Sequence, residues 1–79
     1  MSKTALIVVA EGTEEIEAVT PGDVLQRAGV HITYAGVGSI APRGGHAVPL
    51  RADMFVEDVG EILFDALILP GGGKGAENM

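Results

Sequence analysis

An unbroken apolar run near the amino terminus, TALIVVA from Thr4 to Ala10, most constrains what this chain can fold into. A strand with one face in water alternates apolar and polar residues, whereas a continuous β-branched and apolar run is typical of a strand covered on both faces. Such strands belong to parallel sheets, whose neighbours are joined by crossover connections that usually contain a helix. The run therefore predicts an α/β fold.

The next segment, EGTEEIEAVTPGDVLQRAG, predicts the crossover helix. Its apolar residues recur at spacings of three and four, and the helix is expected to begin at Gly12 or Thr13. Arg27 suits the last turn, and Gly29 suits the position just beyond the helix end. Pro21 interrupts the pattern and predicts a kink or two short helices that meet there.

Two further strands are predicted, VHITYAGVG at residues 30–38 and ALIL at residues 66–69, the second leading into a glycine turn and the start of another helix. The intervening segment is rich in proline and glycine, which suit loops and short edge strands. A small hairpin-like excursion is expected from residues 47–50 and 54–56, with a short helix at residues 57–63. The order predicts the opening half of an α/β domain with a parallel sheet and right-handed crossovers.

The 79 residues leave room for one small domain at most, spanning 1–79. Three strands and one full helix cannot cover both faces of a sheet, so apolar surface should remain exposed. The chain has no cysteine for a disulfide, and His31 and His46 lack neighbours at metal-ligand spacing, so no structural zinc is expected. We therefore expect a fragment, or a domain completed by another polypeptide.

Charge and hydropathy exclude other classes of protein. The net charge is −6 and the five basic residues are scattered, so nucleic acid is not an expected ligand. No segment approaches the roughly 18 apolar residues of a membrane span, and the first residues lack the pattern of a signal peptide. A soluble cytoplasmic protein is expected.

Four glutamates crowd the predicted entry to the first helix: Glu11, Glu14, Glu15 and Glu17. Acidic side chains favour a helix amino terminus through its dipole, and on that interpretation all four face water. The functional alternative singles out Glu17, which follows an apparently core-facing Ile16 and could point toward the carboxyl ends of the strands. Open α/β sheets bind ligands at that edge.

The segment PGGGKGAEN offers a second candidate site. After a strand, such a turn can present backbone N–H groups to an anion or a developing oxyanion, or it can simply be a turn that needs left-handed backbone angles. A Walker phosphate loop does not fit, because Lys74 is followed by Gly75 instead of Ser or Thr. A dinucleotide fingerprint does not fit either, because it should follow the first strand, where the sequence reads EGTEE.

In combination, EGTEEIEAV and LPGG followed by GA and N resemble the opening half of the ThiJ/PfpI family, specifically its parkinsonism-associated protein deglycase branch. The resemblance runs through the whole chain and is weakest at residues 38–56. It implies a flavodoxin-like parallel-sheet sandwich, completed by a second chain or by a missing carboxyl-terminal half. It also implies a homodimer and no cofactor or metal.

The resemblance assigns roles to particular residues. Glu17 matches the family's active-site glutamate, whose protonated carboxyl favours the thiolate of a nucleophilic cysteine, and Gly71 and Gly72 match the turn whose N–H groups form the oxyanion site. Arg27 matches a basic residue near the family's pocket. His46, a possible pocket residue, falls near where that branch has an arginine, and the surrounding RGGHAVP departs from the branch by lacking its cysteine. Capping of helix carbonyls explains Arg27 equally well, and a surface loop position is the preferred interpretation of His46.

The family's cysteine is absent from this chain, which leaves three hypotheses open. In the first, the chain is half of a cysteine-dependent glyoxalase or deglycase acting on small dicarbonyls such as methylglyoxal, or on their protein adducts, and a second polypeptide supplies the nucleophile. In the second, the assembly is a redox-sensing chaperone. In the third, the chain is a non-catalytic subunit that associates through an exposed sheet edge.

Overall fold

The computed structural model describes residues 3–79 and contains one four-stranded sheet in the order β3-β2-β1-β4, with every strand pair parallel. The α/β prediction is confirmed. The elements in chain order are β1 (Thr4–Val9), α1 (Glu15–Arg27), β2 (His31–Gly36), β3 (Met54–Phe55), a 3₁₀ turn (Val56–Asp58), β4 (Ala66–Ile68) and α2 (Gly73–Asn78).

Strand β1 lies between β2 and β4, and its side chains supply both sides of the core. Ile7 and Val9 are fully buried on one face, where Ala18 of α1 packs against them. Leu6 and Val8 are buried on the other face. The continuous apolar run is therefore explained by burial on both faces, as in other parallel sheets.

Helix α1 differs from its prediction at its start and in its middle. It begins at Glu15 rather than at Gly12 or Thr13, and it continues through Pro21 as one helix instead of two short ones. Ala18 and Gly22 are buried on either side of the proline, so packing holds both halves of the helix together despite the missing N–H. Gly29, with φ 90°, follows the helix end as expected.

The segment between β2 and β4 does not form the predicted hairpin. Pro49 instead makes an isolated antiparallel bridge to Arg43, and β3 extends the parallel sheet beside Ala35 and Gly36 of β2. The helix predicted at 57–63 is only the single 3₁₀ turn, and the chain leaves it at Gly60, whose φ of 59° is left-handed.

Apolar surface remains uncovered, as the sequence predicts. Strand β4 is an edge of the sheet within the described residues, and Leu67 and Leu69 are each 61% exposed. The outer face of α1 also carries exposed apolar residues, so the expectation that Ile16 faces the core is wrong for this chain, because 71% of Ile16 is exposed. No helix among the described residues is long and apolar enough to cross a membrane.

Candidate functional site

Both candidate motifs lie at the carboxyl edge of the sheet. Strand β1 ends at Val9 and leads through residues 10–14 into α1, and β4 ends at Ile68 and leads into the glycine turn. Because β1 and β4 are parallel neighbours, their carboxyl ends meet at the same edge. This is the edge where open α/β sheets bind ligands.

A hydrogen bond joins the two motifs directly. The Gly71 N–H donates to Glu17 Oε1 at 2.7 Å, across 54 residues of sequence. The Gly71 carbonyl in turn accepts a 2.9 Å hydrogen bond from the Glu14 N–H. The bond uses one oxygen of the exposed Glu17 carboxylate, so Oε2 remains available to a further group at the same edge.

The glycine turn presents its two candidate donors differently. The Gly71 N–H is occupied by Glu17, whereas no acceptor for the Gly72 N–H is found among residues 3–79. Gly72 has φ 101°, which requires glycine, and a Cβ there would lie 2.7 Å from the Gly12 carbonyl oxygen. The turn therefore combines a left-handed position with one engaged and one unengaged N–H.

The loop before α1 is held by a buried threonine. Thr13 is fully buried, its Oγ1 accepts a 2.8 Å hydrogen bond from the Ala10 N–H, and its own N–H donates to the Ala10 carbonyl at 3.0 Å. These two hydrogen bonds close the turn between β1 and α1. They therefore fix the start of α1, whose first turn carries Glu17. The sequence pattern identified Thr13 only as a candidate helix start.

Glu15 is a structural residue that sequence reasoning missed. The interpretation that all four glutamates face water is wrong for Glu15, which is only 9% exposed. Its Oε2 accepts hydrogen bonds from the N–H groups of His46 at 2.8 Å and Val48 at 3.1 Å. Burial of the Glu15 carboxyl opposes ionisation, but hydrogen bonds from backbone N–H groups and from the His46 ring outweigh it and lower the pKa to about 2.

His46 lies beside the start of α1 rather than beside Glu17. Its Nδ1 is 3.2 Å from Glu15 Oε1 and 3.5 Å from Glu14 Oε1, while 74% of the side chain is exposed. The hydrogen bond to Glu15 and the charges of Glu14 and Glu15 raise the pKa of His46. The three side chains border a cleft of about 260 Å³ with Ile16 and Val48.

The same three side chains are the residues best placed to hold a cation. Their ligand atoms all lie within 4.8 Å of one another. Both oxygens of Glu15, however, already accept hydrogen bonds from loop residues. In this arrangement Glu15 anchors the loop at residues 44–48 to the helix.

Arg27 lies at the opposite end of α1 from Glu17. Ten residues of helix separate the two, about 15 Å along the axis. Arg27 Nε donates a 3.0 Å hydrogen bond to Asp23 Oδ1, one turn earlier on the exposed surface. Within one copy of this chain, the fold brings Glu17, Gly71 and Gly72 together but not Arg27.

Comparison with known proteins gives consistent matches. Residues 3–79 match the model of the DJ-1/PfpI family. The chain is 40% identical to Protein dj-1beta of Drosophila melanogaster over 80 residues, covering all of this chain and 43% of the fly protein. It is 38% identical to the glutathione-independent glyoxalase DJR-1.2 of Caenorhabditis elegans over 71 residues, covering 89% of this chain and 38% of that enzyme.

A solved structure, Toxoplasma gondii DJ-1 in an oxidized form, superposes with a TM-score of 0.93 at 36% identity. The superposition covers 96% of this chain and 42% of the Toxoplasma chain. The chain thus spans less than half the length of these relatives.

Proposed function

Since the chain belongs to the DJ-1/PfpI family, as its motifs indicated, we propose that it is the amino-terminal part of a cysteine-dependent enzyme acting on reactive dicarbonyls or on their protein adducts. Its relatives include a glutathione-independent glyoxalase. The nucleophilic cysteine is assigned to the part of the domain outside these 79 residues, on a continuing chain or on a second polypeptide. The assembled domain is proposed to form a homodimer and to be cytoplasmic.

The observation that carries the proposal is the 2.7 Å hydrogen bond between Glu17 and the Gly71 N–H. This hydrogen bond joins the two candidate motifs, the glutamates at the start of α1 and the glycine turn, at one edge of the sheet. Glu17 keeps Oε2 free, and a protonated carboxyl there can donate a hydrogen bond to an incoming thiolate. The proposed role of Glu17 is therefore to favour the thiolate and to act as general acid and base.

The glycine turn is proposed to receive the negative charge that develops on the carbonyl oxygen of the substrate. Gly72 supplies the first donor, because its N–H has no acceptor within residues 3–79. The Gly71 N–H becomes a second donor only when its hydrogen bond to Glu17 is broken. Arg27 and His46 remain proposed pocket residues of the assembled protein, without a direct contact to Glu17 in this chain.

The first experiment is denaturing mass spectrometry of the native protein, which looks for cysteine on the same chain or on a second polypeptide. Consumption of methylglyoxal is then measured for the wild type, for Glu17→Gln and for the control Glu61→Gln. Glu61 is exposed and precedes the amino end of β4, away from the site. We expect Glu17→Gln to lower turnover by about 10²- to 10⁴-fold, the range for loss of a general acid and base.

Retained full activity of a folded Glu17→Gln protein would remove Glu17 from the mechanism. A native protein without any cysteine would refute the enzyme proposal and leave the non-catalytic association subunit. The thermal unfolding midpoints of both variants serve as the folding control.

A redox-sensing chaperone is the second candidate, and the solved structure of an oxidized form of the Toxoplasma relative favours it. In that case Glu17 would stabilise an oxidised cysteine instead of assisting turnover. Peroxide treatment followed by mass spectrometry would then show oxidation that depends on Glu17, in a protein that does not consume methylglyoxal.

A further inference from the structure

The loop between β1 and α1 touches helix α2 through backbone atoms. Gly75 is buried on α2, and a Cβ there would lie 2.6 Å from Thr13 Cα and 2.8 Å from Thr13 N. A Cβ on Gly12 would meet the Cβ of Lys74 at 2.5 Å. We call this the loop–helix contact: Gly12 and Thr13 on the loop against Lys74 and Gly75 on α2.

Three hydrogen bonds join the loop and the start of α1 to the glycine turn and α2. The Glu14 N–H donates to the Gly71 carbonyl at 2.9 Å, and Asn78 Nδ2 donates to the Glu11 carbonyl at 2.7 Å. The third is the Gly71 N–H to Glu17 Oε1 at 2.7 Å. The distance between Glu17 and the glycine turn is therefore set by how closely the loop and α2 approach.

We infer that Gly75 is a positioning residue, whose missing side chain lets α2 approach Thr13 closely enough for Gly71 to reach Glu17. A methyl group at Gly75 would meet backbone atoms of Thr13, which cannot rotate away as a side chain can. Restoring ordinary carbon contacts of about 3.5 Å requires α2 to retreat by about 0.9 Å or more. A 2.7 Å hydrogen bond lengthened by that amount falls outside hydrogen-bonding range.

The catalytic meaning of this inference rests on the proposed function, but the positioning itself can be measured without any activity. The variant is Gly75→Ala in the native protein that contains these residues. The matched control is Gly73→Ala, which makes the same change two residues earlier on α2, where a Cβ would meet nothing within 4 Å. Both variants replace a glycine of α2 with alanine, and only the change at Gly75 introduces a contact with Thr13.

The first readout is the Gly71 amide in NMR spectra. We expect Gly75→Ala to raise its hydrogen-exchange rate by about tenfold or more, because its acceptor is lost, whereas Gly73→Ala leaves the rate unchanged. An unchanged Gly71 amide in a folded Gly75→Ala protein would overturn the inference. If Gly75→Ala does not fold, Asn78→Ala removes the hydrogen bond between α2 and the loop without a clash. An unchanged Gly71 amide in that variant would overturn the premise that the approach of the loop and α2 sets the distance from Glu17 to Gly71.

The second readout separates this inference from the proposed function. If the native protein consumes methylglyoxal, Gly75→Ala should lower kcat by about 10- to 100-fold with KM nearly unchanged, because Glu17 and the glycine turn lose their relative placement. Loss of Gly71 protection in a protein without dicarbonyl activity would support the positioning role and refute the enzyme. Full kcat in a folded Gly75→Ala protein would refute the positioning role while leaving the enzyme intact.

Discussion

Leu67 of β4 offers a test of whether the domain continues beyond the present sheet edge. It is 61% exposed in the described residues, although β4 pairs with the central strand β1. Full burial of a leucine is worth about 1.5–3 kcal/mol, so about 1–2 kcal/mol of apolar stabilisation is unrealised at this one side chain. We expect the remainder of the domain to cover it.

Leu67→Ala in the whole native protein should therefore lower the free energy of unfolding by about 2–5 kcal/mol, as for other buried leucines. Ile7→Ala, at a fully buried position of β1, is the positive reference and should lose a similar amount. Glu57→Ala, at an exposed position, is the negative reference and should stay within about 0.5 kcal/mol. Urea unfolding of all four proteins gives the midpoints and slopes that measure these differences.

The reasoning is refuted if Leu67→Ala stays as close to the wild type as Glu57→Ala does while Ile7→Ala shows its full loss. That result would mean that β4 stays an uncovered edge in the native protein.

Two further predictions concern the loop anchor and the isolated chain. An NMR titration should show His46 with a pKa above 6.5, and this pKa should return toward 6.5 in Glu15→Gln. Because the pKa is raised in the folded protein, protonated His46 contributes fully to stability below pH 6.5. That contribution is lost as the pH rises through the raised pKa. A His46 that titrates at or below 6.5 would contradict the contact between His46 and Glu15. Isolated residues 1–79 should aggregate or stay partly unfolded, and a monodisperse, cooperatively melting monomer in sedimentation and thermal denaturation would contradict the half-domain interpretation.

The sheet was predictable from the sequence because its central strand is buried on both faces. Such burial leaves a continuous apolar signal in residues 4–10 that needs no knowledge of the partners. The third, short strand at Met54–Phe55 has no such signal, since two residues that extend an edge carry no periodicity. Pro21 left a kink or two short helices open, and the second alternative is wrong because α1 is continuous; local propensity does not include the packing of Ala18 and Gly22 on either side of the proline.

The four glutamates show where sequence reasoning about the candidate site runs out. Helix dipole arguments treat Glu14, Glu15 and Glu17 alike, because all three stand within the same turns of the helix entry. Their different environments come from segments far along the chain: the loop at 46–48 buries Glu15, and Gly71 engages Glu17. Motif resemblance singled out Glu17, but nothing local could single out Glu15.

The long sequence separation within the candidate site has a consequence for how the protein is made. The unit β1-α1-β2 has all of its residues by Gly36, well before the glycine turn has been synthesised. The hydrogen bond from Gly71 to Glu17 joins residues 54 positions apart in the sequence, and the hydrogen bond from the Thr4 N–H to Asp65 joins residues 61 positions apart. Contacts of such separation must overcome loop-closure entropy before they contribute, so they form late. In a nascent chain Glu17 therefore has no glycine partner until synthesis has passed Gly71, and the candidate site can assemble only after that point.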